Sequence, residues 1–254
     1  MTSAGEAANG SQPTRDSEEF SGQVRTMFDR IAGVYDLMNR VMTGGLDSQW
    51  RARAVERAAL RPGEAALDVC CGTGDLAFEL ARAVGPGGSV DACDFSERML
   101  ELAEEKRKQI ERGGDDRAPV AFRWADALDL PYADRSFDAV TVGFGVRNLA
   151  DLELGLAELA RVLRPGGRLV ILEITQPQRR PLSTFFRLWF DRFVPLLGTL
   201  AGDRDAYSYL PDSVRSFPLP DRLAAMIDGA GLEGVRWLVL GGGIIAIHSG
   251  VKRS

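Results

Sequence analysis

The 254-residue chain holds one histidine and three cysteines. Cys70 and Cys71 are neighbours and Cys93 stands apart, a spacing that suits neither a zinc site nor a secreted disulfide framework. A reduced, cytoplasmic protein is expected, with no metal centre. Basic residues are not in excess: 31 Lys and Arg stand against 36 Asp and Glu, for a formal net charge of −5. That balance argues against a generic nucleic-acid binder. No uncharged apolar run approaches the roughly 18 residues of a membrane span. The N-terminus lacks the basic and apolar regions of a signal peptide. Glycine (28) and proline (12) are too few for a collagenous or low-complexity chain. What remains, 45% hydrophobic and 26% charged, is globular composition.

Residues 1–20 are small and polar and read as a disordered tail. Val24, Met27, Phe28, Ile31, Val34, Tyr35 and Met38 recur every three or four residues, which predicts an amphipathic helix. A second helix is expected over 47–60, stopped by Pro62-Gly63. Together, 21–60 form a helical cap. From Ala65 the pattern alternates. Strands are expected at 65–70, 89–93, 120–125, 137–144 and 168–174, and helices at 75–83, 97–112 and 151–163. Such alternation predicts an α/β fold, a parallel sheet with helices on both faces. Arg164-Pro165-Gly166-Gly167 reads as a helix stop and turn. After helix 221–230, runs 234–240 and 244–251 flank Gly241-Gly242-Gly243 and read as a closing antiparallel hairpin. Residues 177–218 exceed what a minimal sheet needs and read as an insertion within one domain, 21–254.

The chemistry points to Asp68-Val69-Cys70-Cys71-Gly72-Thr73-Gly74-Asp75. Open α/β sheets bind ligands at the carboxyl ends of their strands. Gly72 and Gly74 allow the backbone to approach a ligand closely. Asp94 ends the next strand, where a carboxylate can accept both hydroxyls of a ribose. A nicotinamide dinucleotide satisfies the same pattern, because Gly72-Thr73-Gly74-Asp75-Leu76-Ala77 fits G-x-G-x-x-A. No Tyr-x-x-x-Lys pair accompanies it. Asp126-Ala127, after the third strand, places a carboxylate and an N–H where an adenine edge would lie.

Taken together, Asp68…Gly72-x-Gly74, Asp94, Asp126-Ala127 and the Leu-Arg-Pro-Gly-Gly turn resemble class I S-adenosylmethionine-dependent methyltransferases. Longer strings narrow the resemblance. Met27-Phe28-Asp29-x-Ile31-Ala32-x-x-Tyr35-Asp36-x-Met38-Asn39, Gly143-Phe144-Gly145-Val146-Arg147-Asn148, Tyr207-x-Tyr209-Leu210-x-x-Ser213-x-x-x-Phe217-Pro218 and Ala246-x-His248-x-Gly250-x-Lys252 are similar to the ubiquinone/menaquinone biosynthesis C-methyltransferase family. The likeness spans about residues 24–252. Many relatives carry Gly where Cys70 stands. The resemblance implies a Rossmann-like, seven-stranded, mostly parallel sheet. It implies S-adenosylmethionine as cofactor and C-methylation of demethylmenaquinol to menaquinol. A polyprenyl benzoquinol, or another phenol, is the alternative substrate. A nicotinamide-dependent oxidoreductase and a non-catalytic cofactor-binding subunit are the readings of other classes.

The resemblance puts cofactor contacts on Thr73, Asp94, Asp126 and Ala127, with Gly72 and Gly74 shaping the loop and Gly143 beside the methyl donor. Arg147 and Asn148 follow the fourth strand, and Tyr35 caps the same pocket. Arg147 is assigned an electrostatic role toward a phenolate, since guanidinium is a poor base. Its structural alternative is neutralising a nearby acid, and for Tyr35 it is amphipathic core. His248, the sole histidine, suits either a base or a satisfied core position. A prenylated quinol is the expected substrate partner. Residues 178–192 carry Arg179, Arg180, Arg187 and Arg192 against Asp191, interleaved with Phe185, Phe186, Trp189 and Phe190. That segment reads as a contact with an anionic membrane surface, as a lid, or as a homodimer interface.

Overall fold

The computed structural model describes residues 14–114, 116–178, 180–188 and 204–254. Its centre is a seven-stranded sheet of order β3-β2-β1-β4-β5-β7-β6. The strands are β1 (Ala65–Val69), β2 (Ser89–Asp94), β3 (Val120–Trp124), β4 (Phe137–Gly143), β5 (Leu163–Ile174), β6 (Leu232–Leu240) and β7 (Ile245–Lys252). The first five run parallel, and β7 lies antiparallel between β5 and β6. The expected hairpin therefore inserts its second strand into the sheet and leaves its first at the edge.

Successive strand residues feed opposite layers. Leu67, Leu169 and Ile171 join Leu156, Leu159, Leu223 and Ile227 in one core. Ala66, Val170 and Leu172 join Ala77, Leu80 and Val84 in the other. These layers come from α5 (Leu152–Val162) and α8 (Pro220–Gly229) on one face, and α2 (Asp47–Ala58) and α3 (Asp75–Val84) on the other. A strand buried on both faces needs a continuous apolar run, which is why β5 reads Leu-Val-Ile-Leu at 169–172. Local capping sets the helix starts. Ser96 accepts from the Met99 N–H at 3.1 Å and opens α4 (Glu97–Arg112). Asp151 accepts from the Leu154 N–H at 2.9 Å and opens α5.

Three boundaries differ from the sequence reading. Helix α1 (Thr14–Thr43) already runs through 14–20, inside the expected tail, and residues 1–13 lie outside the described residues. The expected turn at 164–167 is absorbed into β5 as a bulge. Pairing jumps from Phe137–Leu163 to Ala139–Arg168, and Gly166 carries φ +78°. Strand β6 starts two residues early, at Leu232, through a second register shift between Glu233 and Arg236. Within 177–218 stand α6 (Leu182–Leu188) and α7 (Arg204–Ser216). Arg179, Trp189, Phe190, Asp191 and Arg192 lie outside the described residues.

Helix α1 is held to the domain by polar latches. Ser96 Oγ donates to Asp29 Oδ1 at 2.6 Å. Thr73 Oγ1 donates to Asp36 Oδ1 at 2.7 Å. Lys106 Nζ sits 2.6 Å from Asp36 Oδ2 and 2.7 Å from Asp75 Oδ1, joining α1, α3 and α4.

The ends of β1 and β4 each reverse through a non-glycine residue with positive φ, Cys70 at +56° and Phe144 at +61°. A side chain in that region is disfavoured by roughly 1–2 kcal/mol, so Gly would be the unstrained residue at position 70. Close approach makes the neighbouring position strict. A Cβ on Gly145 would lie 2.4 Å from Cys70 Cβ and 2.9 Å from its Sγ. Gly145→Ala is expected to lower the unfolding free energy by roughly 1–3 kcal/mol in urea melts. Adding Cys70→Gly should recover most of that loss. Equal losses in both backgrounds would refute the clash.

Candidate active site

The carboxyl ends of β1, β2 and β4 converge where the strand order switches direction, the usual ligand position in such sheets. The crevice there is lined by Gly72, Asp94, Asp126, Ala127, Gly143 and Asn148, with Phe28 and Tyr35 of α1 over it. Asp94 is buried at the end of β2. Its Oδ2 accepts from the Gly72 N–H at 2.8 Å and its Oδ1 from the Ser96 N–H at 2.9 Å. Each oxygen keeps a free lone pair for a hydroxyl donor. Burial pushes the carboxyl up to about 6, against the pull of those amides. Asp126 Oδ1 accepts from the Leu128 N–H at 2.9 Å, which fixes the turn after β3. This set of a buried carboxylate, a glycine loop and a rigid polar turn fits a ribose-bearing ligand. The free space is only about 50 Å³, below the roughly 300 Å³ of small-molecule sites. A nucleoside-sized ligand therefore needs the crevice to widen.

Beside the crevice lies an apolar cavity of about 500 Å³. Met27, Ile31, Met38 and Met42 of α1 line one side, and Phe186, Tyr209, Leu210 and Ile244 another. Phe28, Tyr35 and Phe144 line both spaces and form the seam between them. The cap and the insertion thus each supply a wall. Phe186, the one aromatic of the 185–190 cluster whose side chain is described, is buried in this wall.

Arg147 faces the cavity from a 3₁₀ turn (Val146–Asn148). Its Nη1 donates to Glu173 Oε1 and to the Phe144 carbonyl, both at 2.6 Å. Both ion-pair partners are buried, with side chains 7% and 1% exposed. Burial, the largest single influence, lowers the guanidinium pKa, but the charge and hydrogen bond of Glu173 together with Tyr35 and Tyr209 outweigh it and the net shift is upward. Arg147 Nε is buried without a partner. An unpaired buried donor costs roughly 1–3 kcal/mol, a cost that a substrate oxygen would relieve. Arg147 therefore neutralises a buried acid, the structural alternative, and also lines the cavity. Tyr209 donates its hydroxyl to Asn148 Oδ1 at 3.1 Å. Burial raises the pKa of both Tyr35 and Tyr209, so both remain neutral hydroxyl donors at neutral pH.

Among the expected site residues, Gly72, Asp94, Asp126, Ala127, Gly143, Asn148 and Tyr35 line the crevice, and Arg147 lies across the seam. Thr73 and Gly74 line neither space. The Thr73 hydroxyl is committed to Asp36 and Lys106. Gly74 serves packing: it caps α3 with φ +84°, and a Cβ would meet Phe122 at 2.8 Å. His248 is core. Its Nε2–H donates to the Pro220 carbonyl at 2.9 Å, its ring stacks on Trp237, and burial lowers its pKa. Burial raises the Cys70 thiol, which leaves no thiolate for nucleophilic work. Glu173 and Tyr209 were not singled out. A lone acid in the apolar run of β5 was the available signal for Glu173. Tyr209 lay inside a quoted motif.

A model of the ubiE/COQ5 methyltransferase family matches residues 15–252. The chain belongs to that family. This methyltransferase is 47% identical over 225 residues to demethylmenaquinone methyltransferase of Thermus thermophilus, covering 88% of this chain and 99% of the relative. It is 42% identical to the protein of that name from Desulfitobacterium hafniense, over 92% and 93%. It is 37% identical to the ubiquinone/menaquinone biosynthesis C-methyltransferase UbiE of Saccharophagus degradans, over 93% and 94%. In fold it resembles the [4+2]-cyclase SpnF, with a TM-score of 0.67 at 21% identity over 92% and 96% of the two chains.

Beneath the crevice, Asp68 on β1 is fully buried. One oxygen accepts from Thr141 Oγ1 at 2.7 Å and the other has no partner. Burial pushes its carboxyl up to about 7. A folded-state value above the unfolded one means that the folded form binds the extra proton. The associated stability is complete below about 3.8 and is lost as pH rises through about 7. The stability of the wild type should therefore fall relative to Asp68→Asn between pH 5 and 8, by roughly 1.4 kcal/mol per pH unit below the folded value. Parallel stability–pH curves for the two proteins would contradict this.

Proposed function

We propose that this methyltransferase transfers the methyl group of S-adenosylmethionine to a ring carbon of demethylmenaquinol, giving menaquinol. One observation carries the reading: a crevice holding the Asp94 and Asp126 carboxylates and a prenyl-sized apolar cavity share a wall at Phe28, Tyr35 and Phe144. The relatives named demethylmenaquinone methyltransferase, 42–47% identical, support the same substrate class. When bound, S-adenosylmethionine supplies an electrophilic methyl on a sulfonium. Asp94 accepts the ribose hydroxyls, and the Asp126–Ala127 turn borders the base. The quinol ring stands at the seam with its isoprenoid tail along the cavity. Arg147 donates through its free Nε to the quinol oxygen and stabilises the phenolate formed as the hydroxyl proton leaves. Tyr35 and Asn148 hold the ring in line. Methyl transfer to the ring carbon would leave the sulfur–carbon electron pair on S-adenosylhomocysteine, and loss of the ring C–H proton with reprotonation of the oxygen would restore the quinol, one proton being released overall. Glu173 keeps Arg147 in place and touches neither cavity.

The architecture of this reading is one domain with a cap at 21–60 and an insertion at 177–218 that together close the quinol cavity. A substrate with an isoprenoid tail resides in a bilayer, so the working protein sits peripherally on the inner face of the membrane.

Purified protein given S-adenosylmethionine and chemically reduced demethylmenaquinol should release S-adenosylhomocysteine and methylated quinol in equal amounts. Arg147→Ala should lower kcat by roughly 10²–10³ and leave S-adenosylhomocysteine affinity unchanged. Cofactor binding without turnover, or turnover of a benzoquinol alone, would defeat the assignment. Calorimetry of S-adenosylhomocysteine binding provides a second check. The hydroxyls need the ionised form of Asp94, so affinity should be half-maximal near pH 6 and about tenfold weaker at pH 5 than at pH 7.5. An affinity independent of pH would remove Asp94 from that role.

A further inference from the structure

Helix α1 is amphipathic in an unusual sense. In its central turns the two acids, Asp29 and Asp36, are turned toward the domain, where Ser96, Thr73 and Lys106 hold them. Its outward stripe, at helical spacing, consists of Arg30, Gly33, Val34, Leu37, Arg40 and Val41, all exposed. Val34 is 37% exposed, Leu37 62% and Val41 51%, and Leu46 beyond the helix end is 43% exposed. Scattered surface leucines are ordinary, but an aligned apolar row marks an interaction site. The stripe contains no acid, although the chain as a whole carries −5. Arginines at both ends of an apolar row suit an anionic lipid surface. The row also leads somewhere. Val41 and Leu46 are exposed and line the 500 Å³ cavity, so they form the lip of its mouth. No helix among the described residues is long and apolar enough to cross a membrane.

We propose that the outward stripe of α1, from Arg30 to Val41 with Leu46, docks on an anionic phospholipid bilayer and sets the mouth of the apolar cavity against it. The site rests on the quinol reading given above, and it moves the membrane contact from the arginine-rich 178–192 segment to the cap. The apolar side chains enter the acyl boundary, the arginines meet phosphate headgroups, and a prenylated ring passes from lipid into the cavity without crossing water. The inward carboxylates follow from the same arrangement, because acids on the outer face would repel the headgroups.

The test uses the full chain and co-sedimentation with vesicles. Vesicles containing phosphatidylglycerol should bind the wild type, more weakly as salt rises, and pure phosphatidylcholine should bind it poorly. Val34→Glu/Leu37→Glu lies outside both cavities and should weaken vesicle binding at least tenfold. Its S-adenosylhomocysteine affinity and its turnover of a short-tailed, water-soluble quinol should stay at wild-type values. Turnover of long-tailed quinol embedded in vesicles should fall in parallel with binding. Arg40→Gln, a milder change, should weaken binding to phosphatidylglycerol vesicles only. Wild-type vesicle binding by the double variant would overturn the proposal. So would sedimentation velocity showing a wild-type dimer that the double variant splits, which would make the stripe an interface between copies. Failure of the wild type to methylate the short-tailed quinol would instead reject the quinol reading, whatever the vesicles show.

Discussion

The ion pair between Arg147 and Glu173 joins two strand ends inside the protein. Glu173 stands near the end of β5, and Arg147 on the turn that leaves β4, 2.6 Å away. Breaking such a pair from one side strands a charge in the interior, at a cost of roughly 3–5 kcal/mol. The pair therefore holds the turn that carries Arg147 and Asn148, and with it the wall between crevice and cavity. Glu173 Oε1 also accepts from the Ile174 N–H at 2.8 Å, so the carboxylate is fixed by its own strand. With Nη1 anchored to Glu173 and to the Phe144 carbonyl, the guanidinium keeps one orientation, and a charge fixed in advance need not reorganise when an opposite charge develops beside it.

Strain gathers at the same place. Cys70 and Phe144, at the ends of adjacent strands, both adopt positive φ. Non-glycine residues in such conformations persist only where the surrounding packing over-determines them. Here the close fit of Gly145 on Cys70 and the bond from the Phe144 N–H to the Leu172 carbonyl at 2.7 Å do so. The reversals open the carboxyl edge of the sheet and let α1 lie across it. One helix then serves three surfaces: carboxylates latched to α4 and the glycine loop, apolar side chains lining the cavity, and an apolar stripe toward the outside.

Strand and helix order was legible in the sequence because parallel strands buried on both faces must be apolar without interruption, and Gly-Pro clusters separate them. The glycine loop and Asp94 were legible for a similar local reason, since a strand end, a turn and the next strand end are close in both chain and space. Family motifs carried Tyr35, Arg147 and Asn148. The bulge at 164–167 was not legible, because the same Pro-Gly-Gly chemistry suits a turn and a strand kink, and only pairing with β4 selects one.

The sequence by itself determined the sheet, its flanking helices and the acids at its strand ends, because periodicity and turn chemistry act over neighbouring residues. Tertiary structure alone decided which partners those residues meet. Thr73 faces Asp36 and Lys106 rather than the crevice. Arg147 meets Glu173, 26 residues along the chain, and Tyr209 reaches Asn148 across 61. Such pairings depend on how the cap and the insertion fold back over the sheet, and no local pattern encodes that distance.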